Sequence, residues 1–240
     1  MAVFEAVDST HAAALRLMAQ VENEGLSLRS TVLVAVTQSR GVGRGAHRWN
    51  SPPGGLYLNW LGSAVSDDVI LRLPMIAAAA AHSAVTSAGV THATIKWPND
   101  ILVEGRKLAG LLIHARGGTS TCVTVGMGIN LRPVTEPLET PVHPPVSLAE
   151  IVGDADIEGR VLEIAVRFVK NLILSMADYG PALRLWHEQL VHREGDPMTV
   201  RLGNGDIEEG VFAGLTDEGH LRLRQTDGER VITGGDIIES

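Results

Sequence analysis

A chain of 240 residues, 45% hydrophobic and 20% charged, is long enough for one domain with a proper core plus a small second one. Its formal charge of −8, with no block of lysine and arginine, argues against a broad nucleic-acid footprint. A single cysteine, Cys122, excludes an intramolecular disulfide and leads us to expect a reducing, cytoplasmic setting.

The first ten residues, MAVFEAVDST, lack a basic start followed by a long apolar run, so no secretory signal is expected. Asp8-Ser9-Thr10 is a capping signal ahead of a helix over 11–23, where Ala14, Leu15, Met18 and Val21 share one face. Residues 31–37 (TVLVAVT) are β-branched enough for a buried strand. Glycine, arginine and proline make 38–53 a loop, and a strand resumes over 56–61.

Pro74 is expected to open an alanine-rich helix over 74–88, where proline fits the first turn. That span is shorter than the ~20 residues a membrane crossing needs, so it reads as a core helix. Four strands follow at 93–96, 101–103, 108–115 and 121–129. Gly105 and Gly117-Gly118 between them predict antiparallel hairpins. The proline-dense 132–145 stretch is a surface excursion. Ser147 caps a short helix, and two longer helices cover 157–179 and 179–191. After His192 the texture changes to short alternating strands at 198–202, 209–215, 220–225 and 229–232, a pattern that predicts a small barrel of roughly 45 residues. The layout is α+β, a mixed and largely antiparallel sheet flanked by helices, with a catalytic domain over 1–192 and a barrel over 193–240.

Chemistry concentrates between Lys96 and Asn130. KWPND, RKLAG and GMGIN supply Lys96, Lys107, Asp100, Asn99 and Asn130 at strand ends and turns, among glycines that permit close ligand approach. A lysine on an apolar strand beside a turn carboxylate suits work on a phosphate or carboxylate, with or without a divalent cation. The loop 38–49, QSRGVGRGAHRW, can turn backbone N–H groups toward a phosphate while Arg44 and Arg48 neutralise charge; a solvated loop is an equal alternative on this evidence alone. Trp49 suits stacking on a purine or simple packing. Ser9 and Thr10 have a capping duty, and Asp100 and Lys107 also read as ordinary turn and hairpin residues. His114 is a lone histidine, and the nine histidines show no metal-ligand spacing. Cys122, in TCVTV, reads as a small buried hydrophobe.

Taken in order, Asp8-Ser9-Thr10, Gln38, residues 41–49, SPPGGLY at 51–57, KWPND, RKLAG and GMGIN resemble the biotin protein ligases, and the terminal GGDI resembles that family's small SH3-like domain. The likeness covers nearly the whole chain and looks like the form without an N-terminal DNA-binding domain. It implies a two-step reaction with ATP and Mg²⁺. Biotin is activated as biotinyl-5′-AMP and then transferred to a lysine of a biotin carboxyl carrier protein. It further implies that Lys107, Arg44 and Asp100 carry the chemistry, with Asp100 organising Mg²⁺. Biotin would meet Ser9, Thr10, Gln38, Gly41, Gly110, Leu112 and Gly126. The nucleotide would meet Arg44, Arg48, Trp49, Lys96, Asn99, Lys107 and Asn130. No nucleic-acid or membrane partner is implied. An exposed sheet edge is open to the carrier or to a second copy as a homodimer.

The likeness has departures. Val42, Gly45, Ala46 and His47 stand where the family's loop usually has other, mostly basic or glycine, residues, and His11 stands where it usually has asparagine. Two other functions are therefore weighed: a ligase of the same fold for lipoate or octanoate, and a non-catalytic binder of biotin or its adenylate.

Overall fold

The computed structural model describes residues 1–45, 47–63, 66–116, 121–134, 143–155 and 157–239. Ala46, the Gly117-Gly118 turn and the middle of the proline-dense excursion lie outside the described residues.

A seven-stranded sheet carries the larger part. Its strands are β1 (Ala2–Val7), β2 (Thr31–Gln38), β3 (Gly55–Ser63), β4 (Ala93–Lys96), β5 (Asp100–Val103), β6 (Arg106–Arg116) and β7 (Cys122–Asn130), in the order β1-β2-β3-β7-β6-β5-β4. All pairs are antiparallel except β1 with β2. β1 went unread in the sequence because the alternation in AVFEAV is slight; at the sheet edge its residues are exposed or half-buried, and none is fully buried.

Helix α1 (Thr10–Asn23) covers one face of the sheet, where Ala14 and Met18 pack with Leu33 and Leu61. The opposite face lies under α2 (Asp67–Ser87), with α4 (Ile157–Ala177) and α5 (Gly180–Gln189) stacked on α2. Leu56, Leu58 and Trp60 of β3 point into that larger core, whereas Tyr57 and Asn59 point to the α1 side. The short α3 (Leu148–Val152) carries a full capping box between Ser147 and Glu150.

The helix expected to begin at Pro74 begins two turns earlier. The Ser66 side chain accepts from Val69 N, and Asp67 and Asp68 favour the positive end of the helix dipole. Pro74 is absorbed inside it. At 21 residues α2 is long and apolar enough to cross a membrane by length and composition, which corrects the expectation that it is too short. Within the fold, 67% of its most apolar window is buried.

The second sheet is antiparallel and five-stranded: β8 (Pro197–Arg201), β9 (Ile207–Leu215), β10 (Leu221–Gln225), β11 (Gly228–Ile232) and β12 (Asp236–Glu239), in the order β11-β10-β9-β8-β12. It answers to the small barrel expected from strand spacing, with β12 added by the GGDI segment. Trp97 Nε1 donates to Gly219 O at 2.9 Å and Lys96 Nζ donates to Ile237 O at 3.1 Å, so this sheet sits directly against the end of β4.

Candidate active site

Three glycines on neighbouring strands open a trench in the α1 face of the sheet. Gly110 of β6 pairs with Gly128 of β7, which pairs with Tyr57 of β3; Leu112 pairs with Gly126, which pairs with Asn59. Side chains are missing where a flat sheet would carry them, and a cleft of about 750 Å³, including its open mouth, takes their place. Trp49 covers part of this floor. A Cβ at Gly128 would lie 2.5 Å from Trp49 Cε2, and one at Gly110 would lie 2.9 Å from Cζ3.

At one end of the trench stands the N-terminus of α1. Ser9 Oγ caps the helix, accepting from His11 N and Ala12 N. Thr10 donates through N and Oγ1 to Gln38 Oε1 at 2.7 and 3.0 Å, and Gln38 Nε2 donates to Ser51 Oγ at 2.7 Å. Ser51 Oγ in turn donates to Trp49 O, and Trp49 N to Gly41 O. This chain fixes both walls of the loop. Gly41 lies beneath it rather than on the cleft wall, where a Cβ would run into Trp49 O and Ser51 Oγ.

The other end holds the charges. Glu104 and Gly105 both have positive φ, 51° and 75°, the geometry of a tight hairpin that returns the chain from β5 to β6. The β5–β6 register then slips between Ile101 and Leu102, so that Lys107 faces Leu102 while Ala109 faces Ile101. That bulge breaks the alternation of β6. It brings Lys107 to the same face as Gly110 and Leu112, while Leu108 and Ala109 are both buried in the core beneath. Lys107 Nζ is 2.8 Å from Asp100 Oδ1 and 5.4 Å from the centre of the Trp49 ring. Asn99 secures the turn before Asp100, donating through Nδ2 to Leu111 O at 2.5 Å.

Arg44 reaches the cleft from the loop, and its Nη1 donates to Gly235 O and Asp236 Oδ1, each at 3.1 Å. The small sheet therefore contributes Asp236 to the cleft lining, with His47 Nε2 3.6 Å from the other carboxylate oxygen. Arg48 lines the same mouth and is exposed.

Of the residues singled out in the sequence, Ser9, Thr10, Gln38, Arg44, Arg48, Trp49, Asn99, Asp100, Lys107, Gly110, Leu112 and Gly126 line one cleft. Lys96 and Asn130 do not. Lys96 is 6% exposed, held on Ile237 O, and burial lowers its affinity for a proton despite Asp100 nearby. Asn130 gives its amide to Lys107 O and Val146 O, tying residues 144–146 to the root of β6.

Two residues were missed. Asn59 is wholly buried on the cleft floor, and neither of its amide atoms has a partner among the described residues. A polar residue amid apolar strand neighbours was the available signal. Asp236 gave no signal, because its place depends on how a distant strand folds back. His11 also lines the cleft, 3.3 Å from the Thr124 hydroxyl; burial, then the nearby His114, lowers its pKa. Among the described residues no cluster of three potential metal ligands exists.

Comparison with known proteins agrees with this geometry. Residues 3–130 match the biotin/lipoate A/B protein ligase family, and residues 195–238 match the biotin protein ligase C-terminal domain. The chain belongs to the biotin/lipoate protein ligase family. It is 32% identical to a biotin–[acetyl-CoA-carboxylase] ligase of Paracoccus denitrificans, over 96% of this chain and 97% of that protein. It is 30% identical to the bifunctional ligase/repressor BirA of Bacillus subtilis, covering 86% of this chain and 65% of that longer protein. Among solved structures it resembles the biotin protein ligase from Aquifex aeolicus in complex with biotin and ATP. There the TM-score is 0.74 and identity 25%, over 98% of this chain and 96% of that one.

Proposed function

We infer that the protein joins biotin to ATP as biotinyl-5′-AMP and passes the biotinyl group to a lysine of a biotin carboxyl carrier protein. The observation that carries this reading is the trench itself. It has a polar end built from Ser9, Thr10, Gln38 and Asn59, a floor of three glycines, and the Lys107–Asp100 pair at the far end.

A bicyclic ureido head needs donors and acceptors at one end, and Asn59, with an unspent amide, suits it better than the apolar chain of lipoate or octanoate would. Gly110, Leu112 and Gly126 would flank the rings and valeryl chain, with backbone near Gly41 behind them. The biotin carboxylate oxygen attacks the α-phosphorus and pyrophosphate leaves. Lys107 offsets the negative charge that gathers on the non-bridging oxygens, and Arg44 assists once it exchanges Asp236 for phosphate. Trp49 is the aromatic surface for adenine. Arg48, Asn99 and Asn130 shape the nucleotide side, and Lys96 steadies the KWPND turn. In the second step the carrier's neutral amine attacks the acyl carbon, and AMP departs with the bonding electrons. No nucleophile from the enzyme is required; Cys122, half-buried against the α1 core rather than fully buried as expected, does not line the cleft.

Mg²⁺ fits this donor set only as an ion carried by the nucleotide, since among the described residues Asp100 is the one carboxylate paired with Lys107 and no cage of ligands surrounds it. Bound there, it would neutralise phosphate charge. Residues 1–192 would form the catalytic unit and 193–240 the barrel that reaches its mouth. The test is mass spectrometry of a carrier domain incubated with the protein, MgATP and biotin, lipoate or octanoate in turn. A biotinyl mass increment on the carrier's lysine supports the reading; labelling only by lipoate or octanoate moves the protein to the neighbouring activity.

A further inference from the structure

We propose that, apart from the ion-paired Lys107, the chain is built to keep primary amines away from its own acyl-adenylate, so that the carrier's lysine is the amine that reacts. The inference rests on the ligase reading above. Of the 20 basic residues only Lys96, Lys107 and Lys170 are lysines; the rest are arginines. An acyl-adenylate acylates amines. The neutral amine attacks the acyl carbon, a C–N bond forms, the C–O bond to phosphate breaks, AMP leaves with the electron pair, and the amine's proton passes to water. A guanidinium stays protonated and does not take part, yet carries the same charge.

The placement of the three lysines gives the count its meaning. Lys107 is ion-paired with Asp100 at 2.8 Å. Lys96 is 6% exposed and its amine is tethered to Ile237 O of β12. Lys170 is exposed but lies on α4, across the sheet and behind α2 from the cleft. Besides Lys107, the lysine and arginine side chains that line the cleft among the described residues are Arg44 and Arg48 on the loop; Arg40, with 79% of its side chain exposed, lies outside the lining, beside Asp8. Val42, which lines the cleft and is 42% exposed, occupies a further mouth position without any amine.

The test uses the full chain with biotin and MgATP, no carrier, and intact-mass and peptide mass spectrometry. Val42→Lys and Val42→Arg add the same charge at the same place, and only the first adds a nucleophile. The expected result is biotinylation at position 42 of Val42→Lys at least about 10-fold above any label on Val42→Arg or the parent chain, because proximity raises the effective amine concentration. A parallel incubation with hydroxylamine reports adenylate as the hydroxamate. Hydroxamate formation with an unlabelled Val42→Lys overturns the proposal alone, as does a parent chain already labelled at Lys170 to the same extent. Lack of hydroxamate from the parent chain removes the ligase reading and this proposal with it.

Discussion

Half-buried in a cleft partly covered by Trp49, Lys107 meets Asp100 at 2.8 Å, so its charge is placed to offset a developing oxyanion. Replacing it by methionine keeps the length and apolar stem of the side chain. Lys107→Met is expected to slow adenylate formation by at least about 100-fold, the scale of losing one oxyanion donor, while moving the melting temperature only a few degrees. Asn59 gives the opposite signature. Its buried amide has no partner among the described residues, so Asn59→Leu removes a desolvation cost of about 1–3 kcal/mol and should hold or raise stability. Biotin affinity should fall about 10-fold at the same time, read by calorimetry beside thermal melting. A variant that loses stability and keeps its affinity would make Asn59 a packing residue. Ser9 and Thr10 were legible from local chemistry only as a helix cap, and their place in the cleft, like those of Gln38 and Lys107, was expected from the family resemblance. Asn59 was passed over as one letter in an apolar strand.

At the scale of elements, the trench depends on strand register. The bulge in β6 and the pairing of Gly110 with Gly128 turn scattered letters into a floor, and neither can be read from spacing, because a one-residue slip reverses every side chain beyond it. The start of α2 was misread for a related reason. Pro74 is a strong local start signal, but the Ser66 cap and packing of the whole helix against the sheet outweigh it. Gly128→Ala tests the floor. Its Cβ would lie 2.5 Å from Trp49 Cε2, so the loop that carries Trp49 must lift while the strand, whose outward face is core, stays paired. The expected outcome is retained folding by circular dichroism, faster proteolysis within residues 39–54, and a nucleotide affinity reduced about 10-fold or more. Unchanged proteolysis and affinity would show that Trp49 does not rest on this strand in solution.

Over the whole molecule, the small sheet docks on the larger one through Lys96–Ile237 and Trp97–Gly219 and reaches the cleft through Arg44–Asp236. His192 lies at this junction, 5% exposed, its ring against Phe212. Burial, reinforced by Lys96, pushes its pKa down from 6.5 to about 4. Between those values the unfolded chain binds a proton that the folded chain refuses. Stability therefore climbs as pH rises from about 4 to 6.5 and levels above, by an order of 3 kcal/mol for this group. His11, His82 and His143 shift in the same direction, so the slope has several sources. His192→Leu should flatten urea-derived stability between pH 5 and 7 by about one proton's worth, and an unaltered slope would place the sensitivity elsewhere. The two-sheet plan was legible from the change in strand length after His192. The docking of Asp236 beside Arg44 was not, since nothing local to GGDI specifies which distant surface it meets.

The central claim is that the Lys107 amine in this trench drives the union of biotin with ATP. Its most direct test is biotin-dependent exchange of labelled pyrophosphate into ATP, measured for the parent chain and Lys107→Met side by side. The account predicts exchange that requires biotin in the parent and falls by about two orders of magnitude or more in the variant. Exchange that proceeds undiminished without the lysine, or that fails to appear in the parent at all, would contradict it.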